Sequence, residues 1–164
     1  MRVLAIDPGL SGAIALLDTE SGASVWDMPT IGRGKAGRRR VNAAELCSLI
    51  AGCHADVGVI EQVGSRPGQG VSSTFAFGEA YGTARTAIIA AGLPIEHVGP
   101  RQWKGMLGLG RCKEASRTRA VELFPELCQQ LARKRDEGRA EALLIATWYV
   151  RTREAMRSGD ACGA

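Results

Sequence analysis

The sequence predicts an α/β fold: one mixed, five-stranded sheet with helices on both faces. The first observation behind this is three short apolar runs in residues 1–28, separated by Gly/Asp turn signals and spaced closely enough for an antiparallel meander. The second is the switch after residue 42 to strand–helix alternation, which builds parallel pairs with covering helices. The third is size: 164 residues, 45% hydrophobic, suffice for one buried core, and no repeat or linker divides them.

The elements follow in order. Val3-Leu4-Ala5-Ile6 is an apolar run ended by the turn Asp7-Pro8-Gly9. Gly12-Ala13-Ile14-Ala15-Leu16-Leu17 is a second strand, turning at Asp18-Thr19-Glu20-Ser21-Gly22, and 23–28 is a third. Residues 30–40 lack apolar periodicity and carry Gly32, Gly34 and Gly37 among Arg33, Lys35, Arg38, Arg39 and Arg40, which predicts a mobile basic loop. Asn42 with Glu45 resembles a capping box that opens a helix through about Gly52. Val57-Gly58-Val59-Ile60 is a buried strand running straight into Glu61, and 65–70 is a Gly/Pro loop.

Ser72, Ser73 or Thr74 then caps a long helix ending near Gly92. Its small residues Ala80, Gly82, Ala84, Ala87, Ala90 and Ala91 suit close packing against a sheet or a second subunit. Ile95–Val98 is the fifth strand, and Gly99-Pro100 begins a short helical turn. A helix over 113–124 is stopped by Pro125, and a final one runs from 138 to about 153 with Ala142, Ile145, Ala146 and Tyr149 on one stripe. Residues 1–157 make a single domain; 158–164 read as a flexible tail.

Composition narrows the function classes. No apolar run approaches the ~20 residues of a membrane helix. No charged-then-apolar leader opens the chain, so a cytoplasmic protein without membrane partner is expected. The five cysteines Cys47, Cys53, Cys112, Cys128 and Cys162 form no CxxC pair and read as reduced, buried small hydrophobes rather than a zinc cluster with His54. Trp26, Trp103 and Trp148 read as packing residues. The net charge of +4 hints at a polyanionic partner.

Two acids end buried strands: Asp7 the first, Glu61 the fourth. In α/β sheets that edge is where ligands sit. Asp136, Glu137 and Glu141 flank the start of the last helix, where Glu137 and Glu141 share a face one turn apart. Carboxylates converging without an obligatory His or Cys suit a hard cation such as Mg²⁺. Two such ions about 4 Å apart activate water against a phosphodiester.

The same residues carry a family resemblance. Ala5-Ile6-Asp7-Pro8-Gly9-Leu10-Ser11-Gly12 resembles the first motif of the RuvC-type Holliday-junction resolvases, of the ribonuclease H-like superfamily. Val59-Ile60-Glu61-Gln62-Val63 resembles the second acidic motif, and Phe77-Gly78-Glu79-Ala80-Tyr81-Gly82 the helix after it. Pro100-Arg101-Gln102-Trp103-Lys104, with Gly110-Arg111-Cys112-Lys113, is similar to the two-lysine region. Lys134-Arg135-Asp136-Glu137-Gly138-Arg139-Ala140-Glu141-Ala142 resembles the closing acidic motif in the style of phage-encoded members.

The resemblance implies a ribonuclease H-like fold and a homodimeric, Mg²⁺-dependent endonuclease that cuts four-way or branched DNA by paired symmetric nicks. It acts on no small-molecule substrate. Asp7, Glu61, Asp136 and Glu141 would hold two Mg²⁺ ions, with Mn²⁺ as substitute and Glu137 as the alternative to Asp136. Lys104 and Lys113 would meet scissile-strand phosphates. Arg38, Arg39, Arg40, Arg66, Arg101, Arg111 and Arg117 would track the DNA backbone. The competing readings are a structure-selective DNA-binding module without cleavage and a nuclease of broader branched DNA or RNA–DNA hybrids.

The chain departs from the family pattern twice. Many relatives place an acid three residues before the last one; here that residue is Gly138. Well-known bacterial members carry a base-stacking aromatic three residues after the second acid; here it is Gly64, with Phe75 or Phe77 as possible replacements and Arg66 as an alternative contact. Setting the four expected ligands aside leaves 13 acids against 21 bases (17 − 4 against 21), an acidic centre in a field of +8.

Overall fold

The computed structural model describes residues 1–32, 39–64, 68, 70–110 and 114–160. Strands β1 (Arg2–Asp7), β2 (Ala13–Asp18) and β3 (Gly22–Asp27) form the expected meander. β4 (Thr30–Ile31) pairs with β5 (Arg40–Val41) in a small ribbon that the sequence pattern does not announce. Then come α1 (Ala43–Cys53), β6 (Val57–Glu61), α2 (Val71–Ala90), β7 (Ile95–Val98), α3 (Pro100–Met106), α4 (Ala115–Leu123) and α5 (Glu137–Asp160). The main sheet has the order β3-β2-β1-β6-β7, with β6 parallel to β1 and β7 parallel to β6.

Strand periodicity sorts the core into two layers. Val3 and Ala5 of β1 join Val57 and Val59 of β6 in the cluster that packs under α5, with Leu143, Leu144 and Ile145. Leu4, Ile6 and Ile60 point the other way, into a second cluster with Leu46 and Ile50 of α1 and Ala84 and Ile88 of α2. The small-residue face of α2 therefore serves the sheet at Ala80, Ala84 and Ala87, which are buried. Gly58 explains how near that helix comes, since a Cβ there would collide with the Ile88 side chain.

The element ends differ from the sequence reading in instructive ways. α1 is capped by Asn42, whose side chain accepts from the Glu45 N–H at 3.4 Å; the Glu45 carboxylate returns to the Asn42 amide at 3.0 Å. α2 begins one residue before the expected hydroxyls, from Gly70, without a side-chain cap. α5 runs to Asp160 rather than stopping near 153, so the expected tail from 158 begins as helix. Cys53 is buried, but Cys128 is exposed and Cys47 half-buried, so burial does not account for all the thiols. Among the described residues no helix is long and apolar enough to cross a membrane.

Candidate active site

Parity places the first two acids. Asp7 shares the face of Val3 and Ala5, and Glu61 that of Val57 and Val59, so both carboxylates leave the sheet on the α5 side. The parallel register pairs Ile6 with Ile60, which sets Asp7 and Glu61 next to one another at the strand ends.

Two glycines let α5 close on this edge. In the turn after β1, Gly9 takes φ +146°, and the Gly12 N–H closes it on the Gly9 carbonyl at 3.1 Å. Gly138, in the first turn of α5, abuts that turn: a Cβ there would lie 2.7 Å from the Ser11 carbonyl oxygen and 3.2 Å from Asp7 Oδ2. The absent acid at 138 thus has a steric counterpart, because no side chain fits while the helix stays this close.

The resulting cluster is strongly acidic. Burial pushes the Asp7 pKa well above the ordinary carboxylate value, and Glu141, Glu61 and Glu137 push it further; Lys104 opposes them. Glu61, only 7% exposed, accepts a hydrogen bond from Trp103 Nε1 at 2.8 Å. Glu141 accepts from Lys104 Nζ at 2.7 Å and from Ser116 Oγ at 3.2 Å.

Asp136 is not gathered into this cluster. It sits in the short 3₁₀ turn before α5 and accepts from the Arg133 backbone N–H at 2.8 Å and from its guanidinium at 3.0 and 3.1 Å. Burial alone would raise its pKa, but the Arg133 hydrogen bonds outweigh it and hold the group below its usual value. Of the two adjacent acids at the start of α5, Glu137 is the one that acts on Asp7, together with Glu141 further along the helix. The start of α5 is also tied to β3, where Arg139 donates to both oxygens of Asp27 at 2.6 and 2.7 Å.

Of the basic residues, Arg39 donates to the Leu10 carbonyl at 3.3 Å and to Thr30 Oγ1 at 3.1 Å, beside the β1–β2 turn. Arg40 and Arg101 are exposed. Arg117 is committed internally, to the Ala132 carbonyl at 2.9 Å and to Glu114 at 3.2 Å. Lys113, Arg111, Arg66 and Arg38 lie outside the described residues. A cleft of about 440 Å³ runs from Asp7 along the turn 8–12 to Ser73, Ala76 and Phe77 on α2. Phe77 is half-buried at its wall and Phe75 is 75% exposed, which separates the two rings that the sequence leaves equivalent.

Among the described residues no three His, Cys, Asp or Glu side chains stand close enough to hold an ion as they are. The donor set nevertheless fits one. It is all oxygen, and it concentrates negative charge around a half-buried Asp7 with Lys104 as the cation that acts on it. The interactions the sequence reading missed are the Trp103 and Ser116 donors, whose partners lie 42 and 25 residues away along the chain.

No protein-family model matches the chain. Over an alignment of 150 positions that covers 77% of this chain, it is 30% identical to the Holliday junction resolvase MOC1, chloroplastic, of Chlamydomonas reinhardtii. The chain spans 17% of that relative's length. Its fold is similar to that of T. thermophilus RuvC in complex with Holliday junction substrate, with TM-score 0.64 at 18% identity, over 93% of this chain and 96% of that one. A second Thermus thermophilus RuvC structure gives TM-score 0.55 at 23% identity, with the same coverage of both chains.

Proposed function

We propose, from a chain with the RuvC, ribonuclease H-like fold, that this is a divalent-metal-dependent endonuclease that resolves Holliday junctions and related branched DNA by paired nicks. The observation that supports it best is the gathering of Asp7, Glu61, Glu137 and Glu141 at the sheet edge, where three glutamates raise the Asp7 pKa and Lys104 opposes them. In this reading Asp7, Glu61 and Glu141 hold the metal, with Glu137 as the fourth carboxylate in place of Asp136. Two Mg²⁺ ions, or Mn²⁺, held by these carboxylates would supply an activated water and charge to neutralise the leaving oxygen.

The remaining work falls to the chain. Lys104, bonded to Glu141 at 2.7 Å, would exchange that carboxylate for a scissile-strand phosphate. Lys113, Arg39, Arg40 and Arg101 neutralise flanking phosphates, with Arg38, Arg66 and Arg111 from the adjoining segments. The exposed Phe75 ring is the one to stack on an unpaired base, in place of the aromatic absent at Gly64. Paired nicks need two such sites. The exposed face of α2, with Gly78, Gly82 and Ile89, is the surface proposed to pair two copies.

The test compares a four-way junction, a fork, an RNA–DNA hybrid and a linear duplex in Mg²⁺. Paired nicks on the junction, absent from duplex and hybrid, are expected. Asp7→Asn should bind the junction and leave it uncut. Preferential hydrolysis of the hybrid would overturn the junction assignment. Tight, salt-sensitive junction binding with no cleavage in Mg²⁺ or Mn²⁺ would leave a DNA-binding module instead.

A further inference from the structure

We propose that Trp103 is a positioning residue of this site, one indole that orients Glu61 with its edge and holds Lys104 with its face. The inference rests on the nuclease reading above. By sequence Trp103 is a core ring, and it is indeed fully buried, packed in the cluster under α5. A buried indole needs an acceptor for its N–H, and backbone carbonyls usually supply one. Here the N–H is spent on Oε1 of Glu61 at 2.8 Å, on a carboxylate that adjoins Asp7 at the sheet edge. That bond restrains Glu61 to one orientation and commits one of its oxygens.

The other half of the arrangement uses the ring face. The Lys104 ammonium lies 4.8 Å from the Trp103 ring centroid, within the range of a cation–π contact, while bonded to Glu141 at 2.7 Å. Two consecutive residues of α3 therefore link the acid at the end of β6 to the acid on α5. α3 is itself pinned at its start: Pro100 opens it, and Gln102 Oε1 accepts the Gly99 N–H at 2.9 Å. A phenylalanine would fill much of the same space and offer a face, but it has no edge donor. Outer donors that orient metal-holding side chains commonly matter about 10- to 100-fold in metal affinity.

The experiment is a Mn²⁺ titration by calorimetry on the full chain without DNA, comparing the parent with Trp103→Phe, Glu61→Ala and the double variant. If Trp103 acts through Glu61, Trp103→Phe weakens Mn²⁺ binding by about 10- to 100-fold. Glu61→Ala weakens it too, and the double variant is then no weaker than Glu61→Ala alone. A Trp103→Phe protein that binds Mn²⁺ as tightly as the parent overturns the inference. So does an equal further loss in the Glu61→Ala background, because a packing defect acts whether or not residue 61 offers an acceptor. Should Trp103→Phe fail to fold, the emission of Trp103 is read in a Trp26→Phe/Trp148→Phe background during a Mg²⁺ titration. A spectral shift is expected, and an unchanged spectrum overturns the inference. A parent that nicks junctions while Trp103→Phe keeps its Mn²⁺ affinity sinks only the role of Trp103. A parent that neither binds Mn²⁺ nor cuts branched DNA sinks the nuclease reading, and this inference with it.

Discussion

Replacing Gly138 with alanine isolates the approach of α5 to the acidic edge. In an open helix position, Gly→Ala gains up to about 1 kcal/mol from backbone entropy. Gly52 in α1 is such a position, with nothing within 4 Å of an added Cβ. At Gly138 the added methyl would lie 2.7 Å from the Ser11 carbonyl oxygen, 3.1 Å from the Gly12 carbonyl carbon and 3.2 Å from Asp7 Oδ2. The first two obstacles are backbone, so the helix or the turn must move; overpacking of that kind costs about 1–3 kcal/mol. Set against the helix gain, the balance is a loss of up to about 2 kcal/mol. For a chain of this length that is roughly 4–8 °C in Tm. Differential scanning calorimetry of the two single variants beside the parent reads it directly: Gly52→Ala should rise and Gly138→Ala should fall. A Gly138→Ala protein that gains stability like Gly52→Ala would refute the close approach, and with it the explanation for the missing acid at 138.

Three further outcomes follow from the same geometry. In EDTA, Asp7→Asn should melt above the parent at neutral pH, because burial and then Glu141 and Glu61 raise the Asp7 pKa in the fold. A folded pKa above the unfolded one means that the contribution of Asp7 is present below about pH 3.9 and lost as pH rises through the raised value. The Tm gap between variant and parent should therefore open with rising pH and then level off, and a gap that narrows on the way up would contradict the assignment. Asp136→Asn should lose about 1.5–3 kcal/mol of stability, measured by urea unfolding, as its charge-assisted bonds to Arg133 weaken, with Mn²⁺ affinity unchanged. Glu137→Gln should do the reverse, and equal stability losses in both would erase the distinction between them. Gly82→Glu should leave the fold intact, since nothing lies within 4 Å of an added Cβ in the single chain. It should also convert a dimer to monomer in sedimentation equilibrium; a variant that stays dimeric would remove α2 from the proposed interface.

What the sequence made legible was whatever depends on a strand's own period. Asp7 and Glu61 each follow a buried apolar run, and the period of two assigns both to one face without any tertiary information. The meander, the two later strands and the capping function of Asn42 are equally local. What stayed hidden depends on how elements meet. The edge donor on Trp103 has a partner 42 residues away, and an indole destined for the core looks the same in sequence whether its N–H meets a carbonyl or a carboxylate. The β4–β5 ribbon is two residues long on each side, too short for a pattern.

The closing motif shows why adjacency in sequence is a poor guide at a helix start. Successive α-helical residues turn about 100°, so the neighbours Asp136 and Glu137 cannot both face one point. Asp136 ends a 3₁₀ turn and spends its carboxylate on Arg133, three residues back, in the manner of a cap. Glu137 opens α5, and Gly138 occupies the direction that faces Asp7 and the Ser11 carbonyl. A side chain at 138 would hold the helix off the turn. Glycine lets the helix in, and of the two acids just before it Glu137 is the one that then acts on Asp7, alongside Glu141 one turn on. The absence of an acid at 138 and the proposed role of Glu137 are two consequences of one close contact. Sequence shows the first consequence as a gap in a motif, and only the packing of α5 against the turn connects it to the second.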